Sequence, residues 1–195
     1  MIVMILWNVI IAAGLISWVV VACRIWFRFP ERTADDVVDF LVPVDVERAE
    51  SLLDPRAEST LRSELTRREF RRLQRKRMHL YLVLVRKMAH NAAVLIEWAN
   101  REAEATDGQT QQVAQELQQA AAEVRLYSLA AMVKLRFWLL IRLDSWNILP
   151  APSLCELQEA AGVRAVESYE RLKTTASVLF LGIGNRNFEQ LLHNL

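Results

Sequence analysis

No charged side chain occurs between Met1 and Cys23, and Arg24 and Arg28 follow at once. A helix needs about 20 consecutive apolar residues to cross the hydrocarbon core of a bilayer. Twelve of these 23 residues are Ile, Leu or Val. Each contributes roughly −0.3 to −0.6 kcal/mol to insertion, a sum of about −4 to −7 kcal/mol that outweighs Asn8 and Ser17. Trp7 stands near one end and Trp26, Phe27 and Phe29 at the other, where amphipathic rings favour the headgroup zone. The stretch therefore reads as a transmembrane anchor over residues 1–29. Positive residues are retained on the cytoplasmic side. With Arg24, Arg28 and Arg32 all following the span, the N-terminus is expected outside and the rest cytoplasmic, at the plasma (inner) membrane.

Two alternatives concern processing. A cleavable signal peptide carries a positive n-region and a shorter apolar core, and this stretch has neither. Val20-Val21-Ala22-Cys23 has the form of a lipobox, whose cysteine would be lipidated, but four loosely defined residues recur by chance in apolar helices.

After the anchor, 165 residues follow Pro30, enough for one ordinary domain. Cys23 and Cys155 are the two cysteines, too few for a disulfide framework or a zinc site. Five Gly and five Pro among 195 residues point to helices rather than sheets. The class expected is all-α: one transmembrane helix, then an antiparallel helical hairpin completed to a three-helix bundle.

Start and stop signals divide the body. Residues 30–63 read as a juxtamembrane connector with short helices; in it Asp54-Pro55 has the form of an N-cap followed by proline at the first helical position. Residues 64–195 read as the bundle. Thr66-Arg67-Arg68-Glu69 is a capping box, opening a helix that meets no breaker until Thr106-Asp107-Gly108. From Thr66 to about Glu104 it would be roughly 57 Å long. A second helix is expected from Gln109 to Leu143. Ser153-Leu154-Cys155-Glu156 is another capping box, and a third main helix runs from Val163 to about Leu181, closed by Gly182-Ile183-Gly184. At 100° per residue, Phe70, Leu73, Leu80, Tyr81, Leu84, Met88, Leu95 and Trp98 share one face of the first helix. Val113, Leu117, Ala121, Val124, Met132, Leu135 and Leu139 share one face of the second, and Val163, Val166, Tyr169, Leu172 and Ala176 one face of the third.

One level breaks this amphipathic rule. Met78 to Val85 is apolar all round except for His79, and Leu126 to Ile141 nearly so. Antiparallel pairing sets these runs side by side. A helix that is apolar on every face needs cover on every face. The Val178-Leu179-Phe180-Leu181 run would supply part of it, and a patch left over marks a partner or membrane surface. Met78, Leu82, Val85, Val133, Phe137, Trp138 and Trp146 are the candidate partner interface, aromatic side chains being frequent hot spots.

Charge is uneven. Residues 62–77 carry eight Arg or Lys against Glu64 and Glu69, a local +6 within a net +1. Arg67, Arg68, Arg71, Arg72 and Arg75 cluster opposite Phe70 and Leu73 as a candidate contact for an anionic surface, where each cation adds about 1 kcal/mol near lipid headgroups; acidic connector residues would neutralise them instead. Nucleic acid is disfavoured as a partner, since no aromatic interleaving or binding module accompanies the charge. Arg77 projects onto the apolar face near Leu84, so a buried or interfacial ion pair is expected for it rather than a solvent-facing group.

No catalytic, metal-binding or cofactor-binding residue emerges. His79 and His90 lie within about 20° on one helix face, a spacing that could present two ligands, but Arg86, Glu97 and Arg101 share that face and make it read as solvated. No Glu-x-x-His pair, His-Glu-x-x-His or phosphate-cradling loop is present, which leaves no enzyme class favoured. Cys155 opens a helix without a histidine companion. The expected function is a non-catalytic accessory or scaffolding subunit of a larger membrane complex, in contact with lipids and with other subunits or a second copy. The alternative is a tethered regulator that binds anionic lipid or nucleic acid through the basic helix.

Overall fold

The computed structural model describes residues 34–105, 108–141, 153–154 and 162–183. The chain divides after Glu31, and the described residues belong to the unit Arg32–Leu195. The expected anchor over residues 1–29, with Cys23, and Trp146, Cys155 and His193 lie outside the described residues. Regular structure among the described residues is all-α, without a strand. None of these helices is long and apolar enough to cross a membrane.

Six helices are described: α1 (Ala34–Phe40), α2 (Val46–Leu53), α3 (Pro55–Glu64), α4 (Arg67–Ala105), α5 (Gly108–Ile141) and α6 (Val163–Ile183). The local signals act where the sequence places them. Asp45 caps α2, its side chain accepting from the Arg48 amide at 2.9 Å. Asp54 caps α3 through the Arg56 amide at 2.9 Å, with Pro55 at the first helical position. The Thr66–Glu69 box closes reciprocally. The Glu69 amide donates to Thr66 Oγ1 at 3.4 Å, and Glu69 Oε2 accepts from the Thr66 amide at 3.2 Å and its hydroxyl at 2.6 Å. Those bonds favour the charged carboxylate and lower the pKa of Glu69.

α4 and α5 pack along each other as an antiparallel hairpin, and α6 packs along the other side of α5. α6 runs parallel to α4: Tyr81 donates to the Gly162 carbonyl at 3.0 Å, Asn91 meets Tyr169, and Trp98 meets Phe180 with ring centroids 5.4 Å apart. Direct contact between α4 and α6 is limited, and α2 packs against both. The connector thus belongs to the bundle, where it fills the remaining side.

The core follows the projected stripes, with Tyr81, Met88, Leu95, Trp98, Leu117, Leu135, Tyr169, Leu172 and Phe180 all buried. Two expectations are corrected. Leu80, assigned to the core face, is exposed, because the segment bearing Pro43 and Val44 approaches it without covering it. Phe180 does not cover the 78–85 level; it packs on Trp98 at the other end of α4, while Gly162 at the start of α6 meets Tyr81.

Candidate interaction surfaces

The interior polar groups account for much of how the surfaces are placed. Glu58, Gln74 and Arg77 are all buried. Glu58 Oε2 accepts from Gln74 Nε2 and from the Leu154 amide, both at 3.0 Å, and lies 3.8 Å from an Arg77 guanidinium nitrogen. Arg77 also donates to Gln74 Oε1 at 3.2 Å and to the Leu52 carbonyl at 2.8 Å. The buried ion pair expected of Arg77 is therefore present. Desolvation lowers the Arg77 pKa, and the carboxylates of Glu58 and Asp54 oppose that shift. The network joins α2, α3, α4 and Leu154, so it is a structural clamp.

A second clamp escaped the sequence reading. The chain between α1 and α2 carries backbone groups that need partners, and three side chains within about one turn of α4 supply them. Lys87 donates to the Pro43 carbonyl at 3.0 Å, and His90 Nε2 lies 3.0 Å from the Phe40 carbonyl oxygen. A carbonyl can only accept, so that nitrogen carries the proton. Asn91, fully buried, accepts from the Val42 amide at 2.9 Å and donates to the Val42 carbonyl at 2.9 Å. It also donates to the Tyr169 hydroxyl at 2.7 Å. His90, half-buried at the surface, thus also anchors the connector. Among the described residues no group of three or more His, Cys, Asp or Glu is placed to hold a metal.

Burial raises the pKa of both Tyr81 and Tyr169; for Tyr169 the Asn91 bond opposes the rise and Glu170 adds to it. An unfolded phenol ionises near pH 10. Below that pH the stabilisation from keeping both phenols neutral is fully present, and it is lost as pH rises above about 10 toward the folded-state values. In a spectrophotometric titration Tyr81 and Tyr169 should therefore ionise only together with loss of helical signal. Ionisation of either phenol while the helical signal is intact would contradict its burial.

The candidate partner residues separate into two groups. Met78, Leu82 and Val85 are buried, packed inside the bundle and out of reach of a partner. Val133 and Phe137 are exposed. Trp138 is half-buried beneath Lys134, whose ammonium lies 5.1 Å from the ring centroid. The apolar surface is larger than the sequence indicated, because Leu126, 64% exposed, belongs to it with Phe137 at 59%. Ala122, Leu126, Ala130, Val133 and Phe137 are all exposed and follow one another at intervals of three or four residues along α5, with Leu129 half-buried beside them. This face is uncovered among the described residues because α5 uses its two flanks for α4 and α6. A separate shallow groove of 370 Å³ lies between α4 and the connector, lined by Pro43, Arg48, Leu80, Val83 and Lys87 among others.

In the basic cluster Arg67, Arg68, Arg72 and Arg75 are exposed and form no ion pair with a described residue, whereas Arg71 is half-buried. Arg62 stacks over Phe70, its guanidinium carbon 5.3 Å from the ring centroid.

No known family matches this chain, and neither the curated proteins nor the solved structures include a match to it.

Proposed function

We propose that this chain is a membrane-anchored scaffold: residues 1–29 hold it in the bilayer, and the helical unit presents the outer face of α5 to a protein partner on the cytoplasmic side. The observation that carries the reading is that face. Leu126, Val133 and Phe137 stand exposed on a single stripe of a helix whose other sides are packed, and a contiguous apolar surface of this kind marks an interaction site. The anchor and its orientation rest on the uncharged run and the arginines that follow it.

Extraction in mild detergent should yield an assembly well above the 22.5 kDa chain, and Phe137→Glu should reduce it to the monomer without changing helical content. A clean monomer from the unsubstituted chain sinks the reading. Protease added to sealed, right-side-out cells should leave the helical unit intact.

A second reading is favoured by the four exposed arginines at the start of α4. Phosphate-bearing surfaces bind such clusters with steep salt dependence. The unit from Arg32 onward should then bind anionic vesicles at low salt and leave them at high salt, and replacing Arg68 and Arg72 with glutamine should weaken that binding. Absence of binding at low salt removes this alternative.

A further inference from the structure

We infer that the occupant of the α5 face is a second copy of this chain, paired antiparallel about a two-fold axis passing between Leu129 and Ala130. This inference rests on the scaffold reading and names its partner.

The face is complementary to itself. From Ala122 to Phe137 it runs about 22 Å at 1.5 Å per residue, and its three- and four-residue spacing is that of a helix-pair seam. A two-fold axis between Leu129 and Ala130 sets Leu126 against Val133 and Ala122 against Phe137 of the second copy. Large side chains then meet small ones at both ends, and the exposed Ala130 lets the backbones approach at the centre. An isologous contact needs such reciprocal matching, and here one helix supplies both halves.

Side-chain size selects the antiparallel arrangement, and charge supports it. Glu123 and Lys134 lie on the same flank of the stripe. A two-fold axis perpendicular to both helices keeps each flank against its own counterpart, so the carboxylate of one copy lies near the ammonium of the other, twice. Parallel pairing would instead set Phe137 against Phe137 and Ala122 against Ala122, bulky on bulky at one end of the seam and small on small at the other. Glu123 also bridges Arg171 within the chain at 3.7 Å, where it remains partly exposed, so its carboxylate stays at the surface. A single helix pair of this length is smaller than a standard interface of about 800 Å² per partner. Co-anchoring in a common bilayer, which holds the chains at high local concentration, would favour so small a contact.

The test uses the full chain in mild detergent, with Cys23→Ala and Cys155→Ser as background. Ala130→Cys places two thiols at the axis and should give a rapid covalent dimer. Gln115→Cys, on the same face but roughly 44 Å from its own copy in the antiparallel pair, should give none. Leu126→Asp and Phe137→Glu should each weaken self-association at least tenfold in sedimentation equilibrium, with helical content unchanged because both side chains are exposed. Cross-linking at Gln115→Cys equal to that at Ala130→Cys would overturn the antiparallel pair. Absence of cross-linking at Ala130→Cys, while Phe137→Glu still releases a different polypeptide from a native assembly, would overturn self-pairing and leave the scaffold reading standing. Absence of cross-linking together with no effect of Phe137→Glu on assembly size removes both.

Discussion

Replacing Glu58 with alanine should destabilise the helical unit by about 3–5 kcal/mol, the range for removing one partner of a buried ion pair. The carboxylate has three dependants: Gln74, the Leu154 amide and the Arg77 guanidinium. Without it the buried guanidinium loses its ion-pair partner and keeps only the electrostatic support of Asp54, and the Leu154 N–H loses its acceptor, so the desolvation of both is poorly compensated. For a unit of this size the loss lowers Tm by roughly 6–20 °C, readable by circular dichroism of the full chain in detergent. Glu58→Gln, which keeps an acceptor but not the charge, should lose less. The double replacement Glu58→Leu with Arg77→Met should recover most of the stability, because well-packed apolar groups can replace a buried pair at little net cost. A loss below about 1 kcal/mol for Glu58→Ala would mean that the pair is solvated rather than buried.

Asn91→Ala should cost about 3–4 kcal/mol, from three hydrogen bonds at about 1 kcal/mol each plus the polar groups left unsatisfied. Both backbone groups of Val42 and the Tyr169 hydroxyl lose their partner together, so the effect goes beyond global stability. The segment between α1 and α2 should detach first, seen as fast hydrogen exchange at the Val42 amide and early proteolysis between Leu41 and Asp45, while α4 and α5 keep their protection. Tyr169→Phe removes one bond and should cost only about 1 kcal/mol. Slow exchange at Val42 in the Asn91→Ala protein would show that Lys87 and His90 suffice to hold the segment.

The two clamps mark where sequence reading stopped. Arg77 could be read as buried because it falls on an apolar helical face, but its partner Glu58 lies on another helix, and periodicity carries no information between helices. Asn91 gave no signal: one amide in a long helix is ordinarily solvated, and its partner Val42 is 49 residues away. His90 was read as solvated because the charged residues on its face suggested water, whereas the connector reaches its ring. On the interaction surface, Val133 and Phe137 were found from the all-round apolar run. Leu126 lies in that run but could not be told from core residues, since which side of α5 remains uncovered depends on where α4 and α6 pack.

Local chemistry written in the chain determined the helical class, the caps at Asp54 and Thr66–Glu69 and most of the buried face of each long helix. These follow from interactions within one or two turns, or from a periodicity repeated along a single element. The position of the connector, the pairing of Glu58 with Arg77 and of Asn91 with Val42, and the exposure of the α5 stripe were decided only by the tertiary arrangement. Each depends on which of several equally apolar faces meet, and that choice rests on packing and polar satisfaction between residues far apart in the chain.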